Sequence, residues 1–117
     1  MFTLQAESHK NVTVLRYLGD MLLPDVPQFS RQLETHLLAP GIRQVVLDLS
    51  HVNKVDTSGL GVLVSASTKS RGHGRRLVLL TPAPHVVELL KKVEIEGFFP
   101  TFDSEEELKG FIPDTAD

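Results

Sequence analysis

The sequence predicts an α/β domain, a mixed sheet that opens with a hairpin, continues in parallel strands and carries about four helices. Three observations lead there. Residues 2–6 and 12–16 alternate apolar and polar side chains around a polar, turn-like stretch at 8–11, as two paired strands do. Two short apolar runs, residues 45–49 and 77–80, have the length and β-branched content of buried strands. Helix-spaced apolar patterns lie between and after them, so the later strands are expected to be parallel and joined by helical crossovers.

Taken in order, Phe2, Leu4 and Ala6 form one face of the first strand, and Val12 to Arg16 the second, which Gly19-Asp20 is expected to end. Pro24-Asp25-Val26-Pro27 reads as a helix start, with Asp25 as N-cap and Gln28 as its capping-box partner. Val26, Phe29, Leu33, His36 and Leu37 follow at helical spacing, and Pro40-Gly41 stops that helix. The apolar run Val45-Val46-Leu47-Asp48-Leu49 is expected to be a central strand covered on both faces. A short loop then opens a helix bearing Leu60, Val62, Leu63, Val64 and Ala66, which Arg71-Gly72-His73-Gly74 breaks. After the strand at 77–80, Thr81-Pro82-Ala83-Pro84 leads into a helix with Val86, Val87, Leu89, Leu90 and Val93, and Gly97 is placed at its end. Residues 98–102 form a short edge strand, as Pro100 requires. Ser104 and Glu107 form a capping box for a last helix, whose Glu105, Glu106 and Glu107 suit the helix dipole.

The 117 residues are expected to form one domain, with a core from about 2 to 112 and a short tail at 113–117. A formal net charge of −3 argues against nucleic acid as a partner. Cysteine is absent, which excludes disulfides and thiolate metal sites. No signal peptide and no apolar run of transmembrane length is read, so a soluble cytoplasmic protein without membrane insertion is expected. His9, His36, His51, His73 and His85 are scattered without metal-ligand spacing, and neither metal nor cofactor is expected. Lys69, Arg71, Arg75 and Arg76 cluster around the glycine turn and read as a solvated loop.

The chemistry-bearing stretch is Asp56-Thr57-Ser58-Gly59-Leu60-Gly61. It lies just beyond the carboxyl end of the central strand, where open α/β sheets carry their sites. Ser58 falls at or beside the helix N-cap, where amide donors and the dipole favour negative charge. Gly59 and Gly61 remove bulk and admit another molecule's backbone. A serine that other proteins phosphorylate and dephosphorylate is the functional reading. The structural reading makes Ser58 a cap, Thr57 a second cap or a competing acceptor, Asp56 the head of an Asx turn, and the two glycines a helix–sheet packing device.

In this order and spacing, Val45-Val46-Leu47-Asp48-Leu49-Ser50 followed by Asp56-Thr57-Ser58-Gly59-Leu60-Gly61 resembles the STAS domain, the family of bacterial anti-sigma factor antagonists. Arg76-Leu77-Val78-Leu79-Leu80 and Phe98-Phe99-Pro100-Thr101-Phe102-Asp103-Ser104 resemble its later segments, so the likeness runs from Val12 to Phe111. The resemblance implies a non-enzymatic switch. The unphosphorylated protein binds an anti-sigma factor that is also a serine kinase, which frees the sigma factor. The kinase phosphorylates the position of Ser58, and a phosphatase restores it. ATP belongs to the kinase. Asp56, Thr57, Gly59, Leu60 and Gly61 would form the switch loop and partner surface. Two positions depart from the family: Met21-Leu22-Leu23 stands where an acid is usual, and Lys54 where an apolar or aromatic residue is common.

Rival readings fit less well. The loop resembles the Asp-Thr/Ser-Gly of aspartic proteases, but a serine replaces their glycine and the helices oppose an all-β protease. Asp56 occupies the first glycine position of a hydrolase elbow. A receiver domain would need an acidic pair after its first strand. A STAS module of a stressosome or of a lipid-exporting ABC transporter, acting without phosphorylation, is the alternative.

Overall fold

The computed structural model describes residues 1–80 and 82–111. Its sheet has five strands in the order β1-β2-β3-β4-β5, so every strand lies beside its sequence neighbour. β1 (Phe2–His9) and β2 (Val12–Met21) are antiparallel, while β3 (Gln44–Val55), β4 (Arg76–Leu80) and β5 (Thr101–Phe102) each run parallel to the strand before. Four α-helices connect or follow them: α1 (Val26–Leu37), α2 (Thr57–Gly72), α3 (Pro84–Lys92) and α4 (Glu105–Phe111). The mixed sheet, its opening hairpin and its parallel remainder are those read from the sequence.

Alternation along the strands divides the interior in two. Leu15 and Tyr17 of β2, Val45, Leu47 and Leu49 of β3, and Leu77 and Leu79 of β4 face Phe29, Leu33 and Leu37 of α1, Leu60 and Leu63 of α2, and Val86 and Leu90 of α3. Val12, Val46, Val78 and Leu80 face the other way and pack with Leu108 of α4. Arg16 spans that second face, 3.0 Å from buried Asp48 and 3.2 Å from Glu105 of α4. Its hydrogen bond with Glu105, and that with Asp48, hold the guanidinium above its usual pKa against the cost of burial.

Several boundaries differ from expectation. Gly19-Asp20 does not end β2, which runs to Met21. Gly19 takes φ +120° inside the strand, and a Cβ there would lie 2.6 Å from the Met1 carbonyl oxygen. β3 does not stop at Leu49 but continues to Val55. It takes up extra residues relative to β2 between Arg16 and Leu18 and between Gly19 and Met21, and the shift returns Val52 to the main core. Asp25 precedes α1 without capping it by its side chain. Its carboxylate turns back to the Leu22 amide at 3.3 Å and the Met1 amino group at 3.0 Å. α3 ends before Gly97. Glu94 adopts the left-handed conformation at φ +59°, and Gly97 lies in a 3-10 turn, Glu96–Phe98. The expected strand at 98–102 shrinks to Thr101–Phe102. Ser104 does cap α4, its hydroxyl accepting the Glu107 N–H at 3.1 Å. The expected core limit at 112, the tail at 113–117 and Thr81 of the loop before α3 lie outside the described residues.

The basic cluster is more structural than a solvated loop. Arg75 Nη1 donates to the carbonyls of Leu37 at 2.6 Å and Ala39 at 2.9 Å, closing the C-terminal end of α1. Arg71 donates to the Phe98 carbonyl at 2.8 Å and lies over the Phe98 ring, 4.5 Å from its centroid.

Candidate functional site

The site forms where β2 and β3 end side by side. Met21 pairs with Val55 in the last register of that ladder, and the Asp56 N–H donates to the Met21 carbonyl at 3.2 Å. The Tyr17 hydroxyl fixes the end of β2 from within, donating to the Asp20 carbonyl at 2.6 Å while its ring stacks on Phe2 at 4.9 Å. The strand end and the helix start are therefore joined through a single extended residue, Asp56, at φ −127° and ψ 176°.

Asp56, not Ser58, is the N-cap of α2. Its Oδ1 accepts the amide of Ser58 at 3.0 Å and that of Gly59 at 3.3 Å, two of the donors a helix start leaves unpaired. The same oxygen accepts a hydrogen bond from the Ser58 hydroxyl. Oδ2 accepts the Leu23 amide at 3.0 Å, tying the turn before α1 to the start of α2. The Ser58 hydroxyl is the chief influence holding the Asp56 carboxyl below its usual range, helped by the Leu23, Gly59 and Ser58 amides and opposed by burial. An aspartate supplies two acceptor oxygens and full charge here, whereas a serine N-cap supplies one neutral oxygen. That is the physical reason the cap falls two residues before the expected serine.

The expected site residues divide by exposure. Thr57 and Gly61 are exposed, Asp56 and Ser58 are half-buried, and Gly59 and Leu60 are buried. Leu60 belongs to the main core, so its side chain is not on the open surface where the partner reading placed it. Gly59 sits against Met21, and a Cβ on it would lie 2.5 Å from Met21 Cγ. A Cβ on Gly61 would meet nothing within 4 Å. Helix–sheet packing therefore accounts for one glycine and not for the other. Lys54 is exposed at the end of β3. Leu23, 65% exposed, is one of two exposed large hydrophobic side chains among the described residues; the sequence marks the stretch Met21-Leu22-Leu23 but not which of its residues faces outward. The signal was the apolar run Met21-Leu22-Leu23 at a turn, where only Met21 is buried. Among the described residues, no cluster of three acidic or histidine side chains is placed to hold a metal ion, and no helix is long and apolar enough to cross a membrane.

The family model of the STAS domain matches residues 3–108. The chain belongs to the STAS domain family. It is similar to the candidate anti-sigma factor antagonist BtrV of Bordetella bronchiseptica, with 37% identity over 83 residues, 66% of this chain and 69% of that protein. A candidate anti-sigma factor antagonist from Thermotoga maritima has the same fold, at TM-score 0.84 and 19% identity over 93% of each chain. The Bacillus protein SpoIIAA, an anti-sigma factor antagonist, has it in both its unphosphorylated form (TM-score 0.76, 18% identity) and its phosphorylated form (TM-score 0.73, 19% identity). Both comparisons cover 95% of this chain and all of SpoIIAA. At these identities the solved structures share the fold of this STAS chain.

Proposed function

We propose that this STAS protein is an anti-sigma factor antagonist of the cytoplasm, a binding protein rather than an enzyme, switched off by phosphorylation of Ser58. In its unphosphorylated form it binds an anti-sigma factor that is also a serine kinase, and the sigma factor is released. The kinase then transfers the γ-phosphoryl group of its ATP to Ser58. A bond forms between Ser58 Oγ and phosphorus, the bond to the ADP oxygen breaks, and a base on the kinase takes the hydroxyl proton. A phosphatase hydrolyses the ester and restores the hydroxyl.

The observation that carries this reading is the half-buried Ser58 hydroxyl at the second position of α2, oriented by Asp56. The names of the relatives support it. So does the physics of the modified state. A phosphate brings about −1.5 to −2 charges, and an esterified oxygen has no proton left to donate to Asp56. Attraction to the helix start, worth about 0.3–1 kcal/mol, offsets part of the repulsion from Asp56. An unpaired charge forced into a closed interface costs about 3–5 kcal/mol, and about 1.4 kcal/mol is already tenfold in affinity. Phosphorylation is thus expected to dissociate the partner and leave the fold intact.

The test incubates the purified chain with anti-sigma serine kinases and ATP and locates phosphate by mass spectrometry. The expected result is one phosphate on Ser58. Ser58→Ala keeps binding the kinase and cannot be released by ATP, whereas Ser58→Asp stays folded and binds at least tenfold more weakly. A Ser58→Asp protein that binds as tightly as the parent overturns the switch. A stable complex with a transporter or stressosome component, with no phosphate on the chain, selects the accessory-module reading instead.

A further inference from the structure

Gly61 has no explanation within the fold. It lies in the second turn of α2 on an exposed position, its φ is not in the left-handed region, and a Cβ there would meet nothing within 4 Å. Neither space nor dihedral angle requires a glycine. Yet glycine inside a helix lowers the folding equilibrium about fivefold relative to alanine. Gly59, two residues earlier, is the contrasting case, because Met21 excludes any side chain from it.

The place of Gly61 gives the loss a purpose. It follows Ser58 by three residues and Thr57 by four, the separations that share one helix face. Cα–Cβ bonds in a helix tilt toward its N-terminus, so a side chain covers the turn before its own Cα. A side chain at position 61 would therefore lean over the surface through which the Ser58 hydroxyl is reached. Thr57 on that face is exposed and Ser58 is half-buried.

We infer that Gly61 is a clearance position: its missing side chain lets the phosphate-donating cleft of a serine kinase seat on the first two turns of α2 and reach Ser58. The inference rests on the reading of Ser58 as the phosphorylated residue. It makes Gly61 a determinant of which enzymes can modify the chain, without a contact of its own to the reacting atoms.

The experiment compares the parent chain with Gly61→Ala, Gly61→Leu and, as a control for bulk at an exposed position of another helix, α3, Glu88→Leu. Each is incubated with Mg-ATP and the anti-sigma serine kinases of the organism, purified singly, and Ser58 phosphorylation rates are measured alongside thermal midpoints. Gly61→Ala is expected to raise the midpoint by about 2–5 °C while slowing phosphorylation about threefold. Gly61→Leu is expected to slow it at least thirtyfold, and Glu88→Leu to leave the rate unchanged. If the parent is phosphorylated on Ser58 and Gly61→Leu is modified as fast, the clearance role is overturned and the switch survives. If no kinase modifies the parent at Ser58, the switch fails and the clearance role with it. Should Gly61→Leu misfold, Gly61→Ala decides: a lower midpoint, or a higher one with an undiminished rate, overturns the inference.

Discussion

Met21 covers the bare Cα of Gly59 so closely that an added methyl group would lie 2.5 Å from its Cγ and 3.1 Å from its carbonyl oxygen. Met21 is buried and pairs with Val55, and its carbonyl accepts the Asp56 N–H, so it has little room to retreat. One residue thus joins the last pair of the β2–β3 ladder, through its backbone, to the first turn of α2, through its side chain.

Gly59→Ala is accordingly expected to destabilise the protein. The better helix propensity of alanine returns up to about 1 kcal/mol, but overpacking at a buried contact costs about 1–3 kcal/mol. A lower urea midpoint is the expected result, and a midpoint at or above that of the parent would show that Met21 yields freely. The opposite sign is expected for Gly61→Ala, so the two glycines of one motif separate in a single denaturation experiment.

Asp56 gives a pH-dependent prediction. Its carboxyl is held below its ordinary value of 3.8 in the folded chain. The folded state therefore binds this proton less readily than the unfolded state. The stabilisation is complete above the ordinary value and is lost as pH falls below about 4 through the depressed one. Asp56→Asn should keep the cap and weaken this acid-side loss, whereas Asp56→Ala should lose about 0.5–2 kcal/mol at neutral pH. Denaturant melts between pH 3 and 7 measure both, and an unchanged acid limb in Asp56→Asn would contradict the assignment.

Leu23 gives a prediction about binding. At 65% exposure it contributes little to the core, and its amide, not its side chain, meets Asp56. Leu23→Ser is expected to change stability by no more than about 0.5 kcal/mol. Its loss should weaken the anti-sigma partner at least tenfold if the partner covers this turn. Calorimetric titration against the kinase measures the effect, and unchanged affinity would place the contact elsewhere.

The buried strands and the amphipathic helices were legible because each was written in local periodicity. Val45 to Leu49 and Leu77 to Leu80 announced strands, and Phe29, Leu33 and Leu37 announced a helix face. The extension of β3 to Val55 was written more faintly, since only Val52 among residues 50–54 is buried and the extra residues shift the alternation. Glu94 carried no signal, because a non-glycine residue with positive φ is chosen by the surrounding structure. The motif from Asp56 to Gly61 was visible as a chemical unit, but its division of labour was not. That division depends on Met21 and Leu23, more than thirty residues away in the chain. The departure at residues 21–23 did not say which of the three faces outward.

The sequential strand order bears on how the molecule comes into being. A chain that leaves the ribosome from its N-terminus can lay each strand against the one already in place, with no gap left for a later insertion. The clasp of Asp56 needs only Met21, Leu23 and the opening of α2, so its parts are all synthesised before β4 and β5 exist. Only the β1–β2 hairpin closes a short loop; each later parallel pairing must first close a helical crossover, which costs loop entropy before the ladder forms.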